Sequence, residues 1–194
     1  IRAFLIHRDS GNIWFAGGVS GGLFRSVSSG NSWSPINDRQ ENLNVTCIAQ
    51  TVSGTIFYGT GEGGFVNLSG TRNGSPAFLG AGLYKSTDGR GVSFTKMTNT
   101  SAASFMQCNS MVAHPKEDKF YLGTEDGIYE FTNNGGTQKK ISVGSIKELK
   151  IDKNGVLWAS TGSGSILKMD GAGAMKQMNA SVNTGGRTSL AISP

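Results

Sequence analysis

The chain has 194 residues, a formal net charge of +5, and 29 glycines against only 4 prolines. This composition excludes a collagen-like or proline-rich chain, and no apolar run approaches the roughly 20 residues that a membrane helix needs. The basic residues are scattered apart from the pair Lys139 and Lys140, so the sequence shows no nucleic-acid-binding stripe. We expect one domain with a core of its own, no nucleic-acid partner and no membrane insertion in this segment.

One phrase recurs four times along the chain, and its fourth copy is fainter. A short apolar strand ends in glycine, and a second strand and a polar turn follow. The copies read NIWFAGG…GGLFRSVSSGNSW, TIFYGTG…GAGLYKSTDGRGVSF, KFYLGTEDGIYEFTNNGGT and VLWASTGSGSILKMDGAG. The residues that end the second strand, which we call the anchors, are Gly17, Gly59, Gly123 and Ser160. Repeats of 20–50 residues indicate a solenoid or a propeller.

Each repeat offers four short strands separated by turn residues. In the second repeat they are VTCIAQ, TIFYGT, AGLYKS and VSFTKM, and no window shows helical periodicity. We therefore predict an all-β chain, a β-propeller of four-stranded antiparallel blades. The predicted blades span about 1–40, 41–100, 101–143 and 144–185, with an insertion at 63–78 and the first strand of a further blade at 186–194. Because the chain opens inside a strand and that extra strand does not fit a closed ring of four, we expect part of a larger propeller.

The turn between the third and fourth strands carries the most specific signal. A short acceptor side chain can cap backbone N–H groups there, glycine allows the tight bend, and the aromatic residue is expected to pack between blades. The segments 26–33 and 86–94 resemble the Asp-box, or BNR repeat, with the pattern S-x-D-x-G-x-[ST]-[WF]. The matching residues are Ser26, Gly30, Trp33, Ser86, Asp88, Gly91 and Phe94, although Ser28 stands where the first copy should have aspartate.

The first half of the chain also resembles the Asp-box propellers of the sortilin-type and xyloglucanase-like groups. The fourth repeat looks more like the blades of periplasmic sensor propellers in bacterial hybrid signalling proteins. The resemblance implies the propeller architecture. It does not select one activity, because Asp-box propellers include hydrolases, receptors and assembly factors.

Two carboxylates are the candidates for chemistry, since glycoside hydrolysis needs a pair that flanks the scissile bond. Glu62 and Glu125 follow the GTG and GT turns that end the second strands of neighbouring repeats, so both could face one cleft. The alternative is that Glu62 orders the insertion by accepting backbone N–H bonds and that Glu125 is a solvated turn residue. The arginines match no sialidase-like cluster.

No cofactor and no metal are predicted. The only histidines are His7 and His114, and no cysteine or histidine cluster has zinc-like spacing. Cys47 and Cys108 fall in or near inner strands, where buried free thiols are expected, and a disulfide between them remains the alternative.

The insertion at 63–78 is the segment most typical of a binding site, because binding residues sit on loops held by a rigid scaffold. Phe65, Arg72 and Phe78 are its candidate binding residues, since aromatic residues and arginine anchor many interfaces. The alternative is that the two phenylalanines tuck the loop onto its own blade.

Three functions are compatible with these patterns. The first is a non-catalytic protein- or glycan-binding or scaffold module of a secreted or cell-surface bacterial protein, which fits the polar, Asn/Ser/Thr/Gly-rich sequence. The second is a xyloglucanase-like hydrolase, and the third is the ligand-sensing propeller of a periplasmic receptor. We favour the first, with an extracytoplasmic location, a protein or polysaccharide ligand, and further blades or a partner that cover the open edge of the array.

Overall fold

The computed structural model describes residues 1–63, 78–178 and 188–192. Its strands form four sheets of four strands each, and every neighbouring pair is antiparallel. The first two sheets contain β1 (Ala3–Ile6), β2 (Trp14–Gly18), β3 (Gly22–Ser26) and β4 (Ser34–Pro35), then β5 (Val45–Gln50), β6 (Ile56–Thr60), β7 (Leu83–Ser86) and β8 (Thr95–Lys96).

The third and fourth sheets follow two short 3-10 turns at Thr98–Thr100 and Ala103–Phe105. They contain β9 (Cys108–Ala113), β10 (Phe120–Thr124), β11 (Gly127–Thr132) and β12 (Thr137–Val143), then β13 (Ile146–Ile151), β14 (Leu157–Thr161), β15 (Ile166–Met169) and β16 (Met175–Gln177). Each sheet runs in chain order from its first strand to its fourth. The predicted all-β architecture of four-stranded antiparallel propeller blades is confirmed.

The first strands of successive blades, β1, β5, β9 and β13, lie side by side in that order and form the inner edge of the array. Apolar side chains fill each of the three junctions between neighbouring blades. At the junction of blades two and three, for example, the rings of Phe57 and Phe120 lie 4.4 Å apart. Burial of one such side chain contributes about 1.5–3 kcal/mol, so contacts between blades carry much of the stability.

The anchor glycines allow this close approach of blades. A Cβ atom on Gly17 would lie 2.5 Å from Cγ1 of Val45, and one on Gly123 would lie 2.7 Å from Cγ2 of Ile146. Both contacted residues begin the first strand of the following blade. The same crowding surrounds Gly59. Glycine recurs at the anchor because the next inner strand leaves no room for a side chain.

The fourth anchor, Ser160, meets a different neighbour. Its hydroxyl donates a 2.6 Å hydrogen bond to the carbonyl oxygen of Thr188, and the backbone N–H of Leu190 donates to Oε2 of Glu148 at 2.8 Å. Residues 188–192, the described part of the predicted extra strand, form no strand. They contact the last blade through these two hydrogen bonds, and the predicted boundaries of the blades stay a prediction.

No helix in the described parts of the chain is long and apolar enough to cross a membrane.

Candidate functional site

The loops of the blades gather at two ends. We call the end where the second strands finish, and where Glu62 and Phe78 flank the insertion, the insertion end. The opposite end, which carries the Asp-box-like segments 26–33 and 86–94, is the turn end. The topology fixes this division because the third strand of each blade runs from the insertion end to the turn end.

Glu62 lies at the insertion end but does not face an open cleft. The residue is only 4% exposed, and its carboxylate forms an ion pair with Arg2, which precedes the first strand of blade one. Its backbone N–H donates to the carbonyl oxygen of Phe78 at 3.0 Å, which closes the base of the insertion as an antiparallel bridge. Glu62 therefore joins blades one and two through its carboxylate, and the alternative that it also orders the insertion involves residues outside the described ranges.

Glu125 occupies the equivalent turn of blade three and is held by three side chains. Its carboxylate accepts hydrogen bonds from Lys147 at 2.5 Å, from Ser145 at 2.6 Å and from Asn109 at 2.7 Å. Burial alone would raise the pKa of Glu125, but these hydrogen bonds outweigh it and hold the pKa below its ordinary value. The alternative that Glu125 is a solvated turn residue is wrong, because the chain uses it to join blades three and four.

A short polar chain connects the two glutamates. The backbone N–H of Gly63, directly after Glu62, donates to Oδ1 of Asn109 at 3.1 Å, and Nδ2 of Asn109 donates to Glu125. A Cβ atom on Gly63 would lie 1.9 Å from the Glu125 carboxylate, so only glycine fits between the two turns. The structure thus brings Glu62 and Glu125 to the same end of neighbouring blades, with a basic partner on each.

This arrangement is poorly suited to glycoside hydrolysis. A general acid needs a pKa raised towards neutral pH, and the second carboxylate must reach the sugar. Glu125 has a lowered pKa, and the carboxylate of Glu62 is almost inaccessible. Both groups act as links between blades in the described residues.

Neither histidine is placed to bind a metal ion. His7 and His114 directly follow the first strands of blades one and three at the turn end. Each Nδ1 accepts a backbone N–H two residues further on, from Asp9 and from Lys116, both at 3.2 Å. No group of three potential metal-binding side chains is found among the described residues. Burial lowers the pKa of His114 and the nearby Glu117 only partly offsets this, so a neutral ring is favoured there.

The two cysteines lie together at the junction of blades two and three. Both are buried free thiols, and Sγ of Cys47 contacts the carbonyl oxygen of Cys108 at 3.7 Å. Burial raises the pKa of Cys47 to about 12 and also raises the pKa of Cys108. Both thiols are therefore core side chains with little thiolate character.

Of the predicted binding residues, only Phe78 belongs to the described part of the chain. Its side chain is 45% exposed, and the following Leu79 is 59% exposed. Phe78 is thus partly open to solvent, whereas Phe65 and Arg72 lie outside the described residues, so the alternative that the two phenylalanines tuck the loop onto its own blade stays a prediction. The base of the insertion presents apolar surface at the insertion end, beside the ion-paired glutamates.

At the turn end, Asp88 accepts backbone N–H groups of its own loop, as expected of a short acceptor side chain in a turn. Oδ1 accepts N–H groups from Arg90 and Gly91 at 2.7 and 2.6 Å, and Oδ2 accepts those of Val92 and Ser93 at 2.9 and 3.1 Å. Burial would raise the pKa of Asp88, but these donors outweigh it and keep the pKa below its ordinary value. The loop is thus built around one carboxylate.

The second loop also fits its neighbour closely. Gly91 has a φ of +63°, which favours glycine, and a Cβ atom there would lie 2.5 Å from the ring of Phe15 in blade one. The third loop repeats the arrangement, since a Cβ atom on Gly135 would lie 2.9 Å from the ring of Phe57 in blade two. These loops are therefore part of the contact between blades.

The first loop replaces the aspartate with two serines. Oγ of Ser26 accepts N–H groups from Ser28 and Gly30 at 3.1 and 2.9 Å, and Oγ of Ser28 accepts that of Ser32 at 3.0 Å. Hydroxyl oxygens here supply the acceptors that Asp88 supplies in blade two, which explains how this copy tolerates the missing carboxylate.

The aromatic residues of the two loops behave differently. Phe94 is 7% exposed and meets the ring of Tyr58 edge-on, with centroids 5.0 Å apart, inside the cluster between blades one and two. Trp33 is 38% exposed, and its Nε1 donates to the carbonyl oxygen of Gly30 in its own turn at 2.9 Å. No described blade precedes blade one, so the expectation that Trp33 packs between blades stays a prediction, and its indole here contacts its own loop.

The repeat pattern does not reveal the basic partners of the two glutamates. Arg2 and Lys147 are far from Glu62 and Glu125 along the chain, and each precedes or begins an inner strand of another blade. An alignment of the repeats could have placed Lys147 beside the GTE turn. In such an alignment, the first strand of each blade begins at the same end of the array at which the second strand of the preceding blade ends. No spacing rule within a single repeat reveals such a pair.

Comparison with known proteins adds the wider context. No family model and no curated protein matches the chain. Among solved structures, it is similar to an ancestral GH74 enzyme (TM-score 0.70, 18% identity), with 91% of this chain and 25% of that chain covered. It is also similar to the extracellular domain of a putative one component system from B. thetaiotaomicron (TM-score 0.63, 20% identity, 92% and 22% covered).

A third similar structure is an auxiliary nutrient binding protein from Bacteroides thetaiotaomicron (TM-score 0.65, 11% identity), with 96% of this chain and 43% of that chain covered. At such identities the likeness shows the fold alone, a β-propeller. The chain spans between about a fifth and two fifths of the length of these three structures.

Proposed function

We propose that this chain is part of a non-catalytic propeller that binds a protein or glycan ligand at its insertion end. The observation that carries the proposal is the engagement of both candidate carboxylates. Glu62 and Glu125 are each ion-paired to a basic residue of a neighbouring blade, so the scaffold already occupies the groups that hydrolysis would need.

Apolar exposure at the same end supports a binding role. Phe78 and Leu79 present open side chains at the base of the insertion, next to a rigid polar cluster that holds blades one to four in register. Aromatic and aliphatic groups on loops that a scaffold positions are typical of recognition surfaces for proteins and sugars. Phe65 and Arg72 of the same insertion stay candidate binding residues of this proposal.

We also propose an extracytoplasmic location and membership of the Asp-box propellers. The loop around Asp88 supports the second point, because it uses one carboxylate for four backbone donors as that pattern requires. Two of the similar structures are an extracellular domain and a nutrient binding protein, which supports an extracytoplasmic location.

The first experiment measures binding and hydrolysis on the same sample. Xyloglucan oligosaccharides serve as the glycan probe in titration calorimetry, and reducing-sugar release is followed in parallel. Binding without sugar release, weakened about tenfold or more by Phe78→Ala, supports the proposal. Trp33→Ala is the matched control, because it removes an exposed aromatic side chain at the opposite end of the blades.

Hydrolysis is the outcome that contradicts the proposal. If xyloglucan is cleaved, and Glu125→Gln abolishes cleavage without unfolding the protein, Glu125 is catalytic and its ion pair with Lys147 is not only structural. If no probe glycan binds, the same variants are assayed with a random peptide library displayed on phage. Failure to select any peptide whose binding depends on Phe78 then refutes ligand binding at the insertion end.

A further inference from the structure

We propose that the outer face of blade one binds a further propeller blade, and that the sequence pattern of this missing neighbour can be specified. We call this surface the entry face, and it consists of Phe4, Ile6 and Trp14. The inference rests on the fold and is independent of the proposed ligand-binding function.

Register shows that the entry face is the equivalent of surfaces that are buried elsewhere. The residues opposite the anchors Gly17, Gly59 and Gly123 are Ala3, Cys47 and Ser110, and the residue opposite Ser160 is Glu148. The next residues along these first strands are Phe4, Ile48, Met111 and Leu149. Phe4 is 51% exposed, whereas the other three are 8%, 7% and 1% exposed because a preceding blade covers them.

The second strands give the same result. Trp14 is equivalent to Ile56, Phe120 and Leu157, each of which is fully buried against the blade before it. Trp14 is half-buried and meets Phe4 edge-on, with ring centroids 5.7 Å apart. Ile6 beside them is 49% exposed. Two aromatic rings and an isoleucine therefore form a contiguous apolar surface of the kind that soluble proteins seldom leave uncovered.

The three existing junctions define what fits such a face. In each, the preceding blade offers an aromatic residue two positions before its anchor glycine: Phe15, Phe57 or Tyr121. It also offers a leucine or isoleucine near the start of its third strand, which is Leu23, Leu83 or Ile128. The occupant of the entry face is thus a four-stranded blade whose second strand reads aromatic-x-Gly.

Charge argues against a second copy of this chain as the occupant. The last described blade presents Glu148 and Lys150, paired at 3.1 Å, where the other blades present small or apolar residues. Lys168 lies over the ring of Trp158 on the same surface, 4.8 Å from its centroid. Pressing these groups onto Phe4 and Ile6 would remove charges from water without new partners, which is costly.

Photo-crosslinking identifies the occupant directly. p-Benzoylphenylalanine is placed at position 4 in the longest natural form of the protein, since Phe4 is aromatic and exposed, and the crosslinked peptides are sequenced. The expected product joins position 4 to another segment of the same polypeptide that contains aromatic-x-Gly. The same label at Val143, which is 77% exposed on an outermost strand, is the control and should give no such product.

Every other product overturns the proposal. A crosslink to a second copy shows a dimer face, and a crosslink to another protein shows a partner site. If the label at position 4 gives no more of a defined crosslinked product than the label at Val143, nothing covers the entry face.

Thiol labelling gives an independent measurement that needs no identification of a product. Ile6→Cys should react with a water-soluble maleimide at least about tenfold more slowly than Val143→Cys in the same whole protein, because a neighbouring blade must open first. The native thiols give little background, since Cys47 and Cys108 are buried. Equal rates at the two positions would overturn the proposal.

Discussion

Replacement of one anchor glycine isolates the energetics of packing between blades. Gly17→Ala would place a methyl group 2.5 Å from Cγ1 of Val45 and 3.0 Å from Cβ of Ala3, where carbon atoms prefer about 3.5–4.0 Å. Overpacking of this kind costs about 1–3 kcal/mol, and the lower entropy of the unfolded alanine chain returns about 0.4–1 kcal/mol. We therefore expect a net loss of about 1–2 kcal/mol, or about 2–8 °C in Tm.

Urea unfolding of a double-mutant cycle tests this explanation. Val45→Ala removes the methyl group that Gly17→Ala strikes, so the double variant should be more stable than the sum of the two single losses by about 1 kcal/mol. Gly11→Ala is the control, because no atom lies within 4 Å of its added Cβ, and its effect should stay within about 0.5 kcal/mol. Equal losses for the two glycines, or an additive cycle, would refute the steric account of the anchor.

Three further predictions concern the loops and the ion pairs. Asp88→Ala should lower the free energy of unfolding by about 1–2 kcal/mol in thermal melts, since four backbone donors lose their acceptor, and Asp88→Asn should lose less. Burial lowers the pKa of His114 in the folded protein below 6.5, the value in the unfolded chain. The free energy of unfolding should therefore be highest above pH 6.5 and fall as the pH drops below 6.5, because the unfolded state binds the proton more readily. His114→Gln should flatten that part of a pH–stability curve. Lys147→Met should lower the free energy of unfolding by about 1–3 kcal/mol, because it leaves the half-buried carboxylate of Glu125 without its ion-pair partner. Lys176→Met, at a side chain that is 69% exposed, should lower it by less than about 0.5 kcal/mol in the same denaturation assay.

The propeller architecture could be predicted from the sequence because it rests on short-range patterns. Alternating strands, glycine anchors and polar turns occur within each repeat and state the local structure directly. The capping function of Asp88 follows from the chemistry of a short acceptor in a turn, and its four hydrogen bonds match that expectation.

The candidate site could be predicted only in part, because its contacts cross from blade to blade. The equivalent turn positions of Glu62 and Glu125 correctly suggested that both lie at one end of the array. Their basic partners could not be read from one repeat, and those partners change the chemistry from candidate catalysis to structural pairing. Trp33 shows the same limit, since its match to a family pattern did not reveal whether it turns inwards or back onto its own loop.

The weakness of the fourth repeat has a physical explanation in the same contacts. Anchor glycines recur where a following inner strand crowds the backbone, and loop glycines such as Gly91 and Gly135 recur where the loop presses on an aromatic ring of the preceding blade. In the last blade, Ser160 contacts Thr188 instead of a following inner strand, and a Cβ atom on Gly173 would meet nothing within 4 Å. A repeat keeps its consensus residues where a neighbouring blade packs against them. Departures from the consensus therefore indicate which surfaces of a blade do not contact a neighbouring blade.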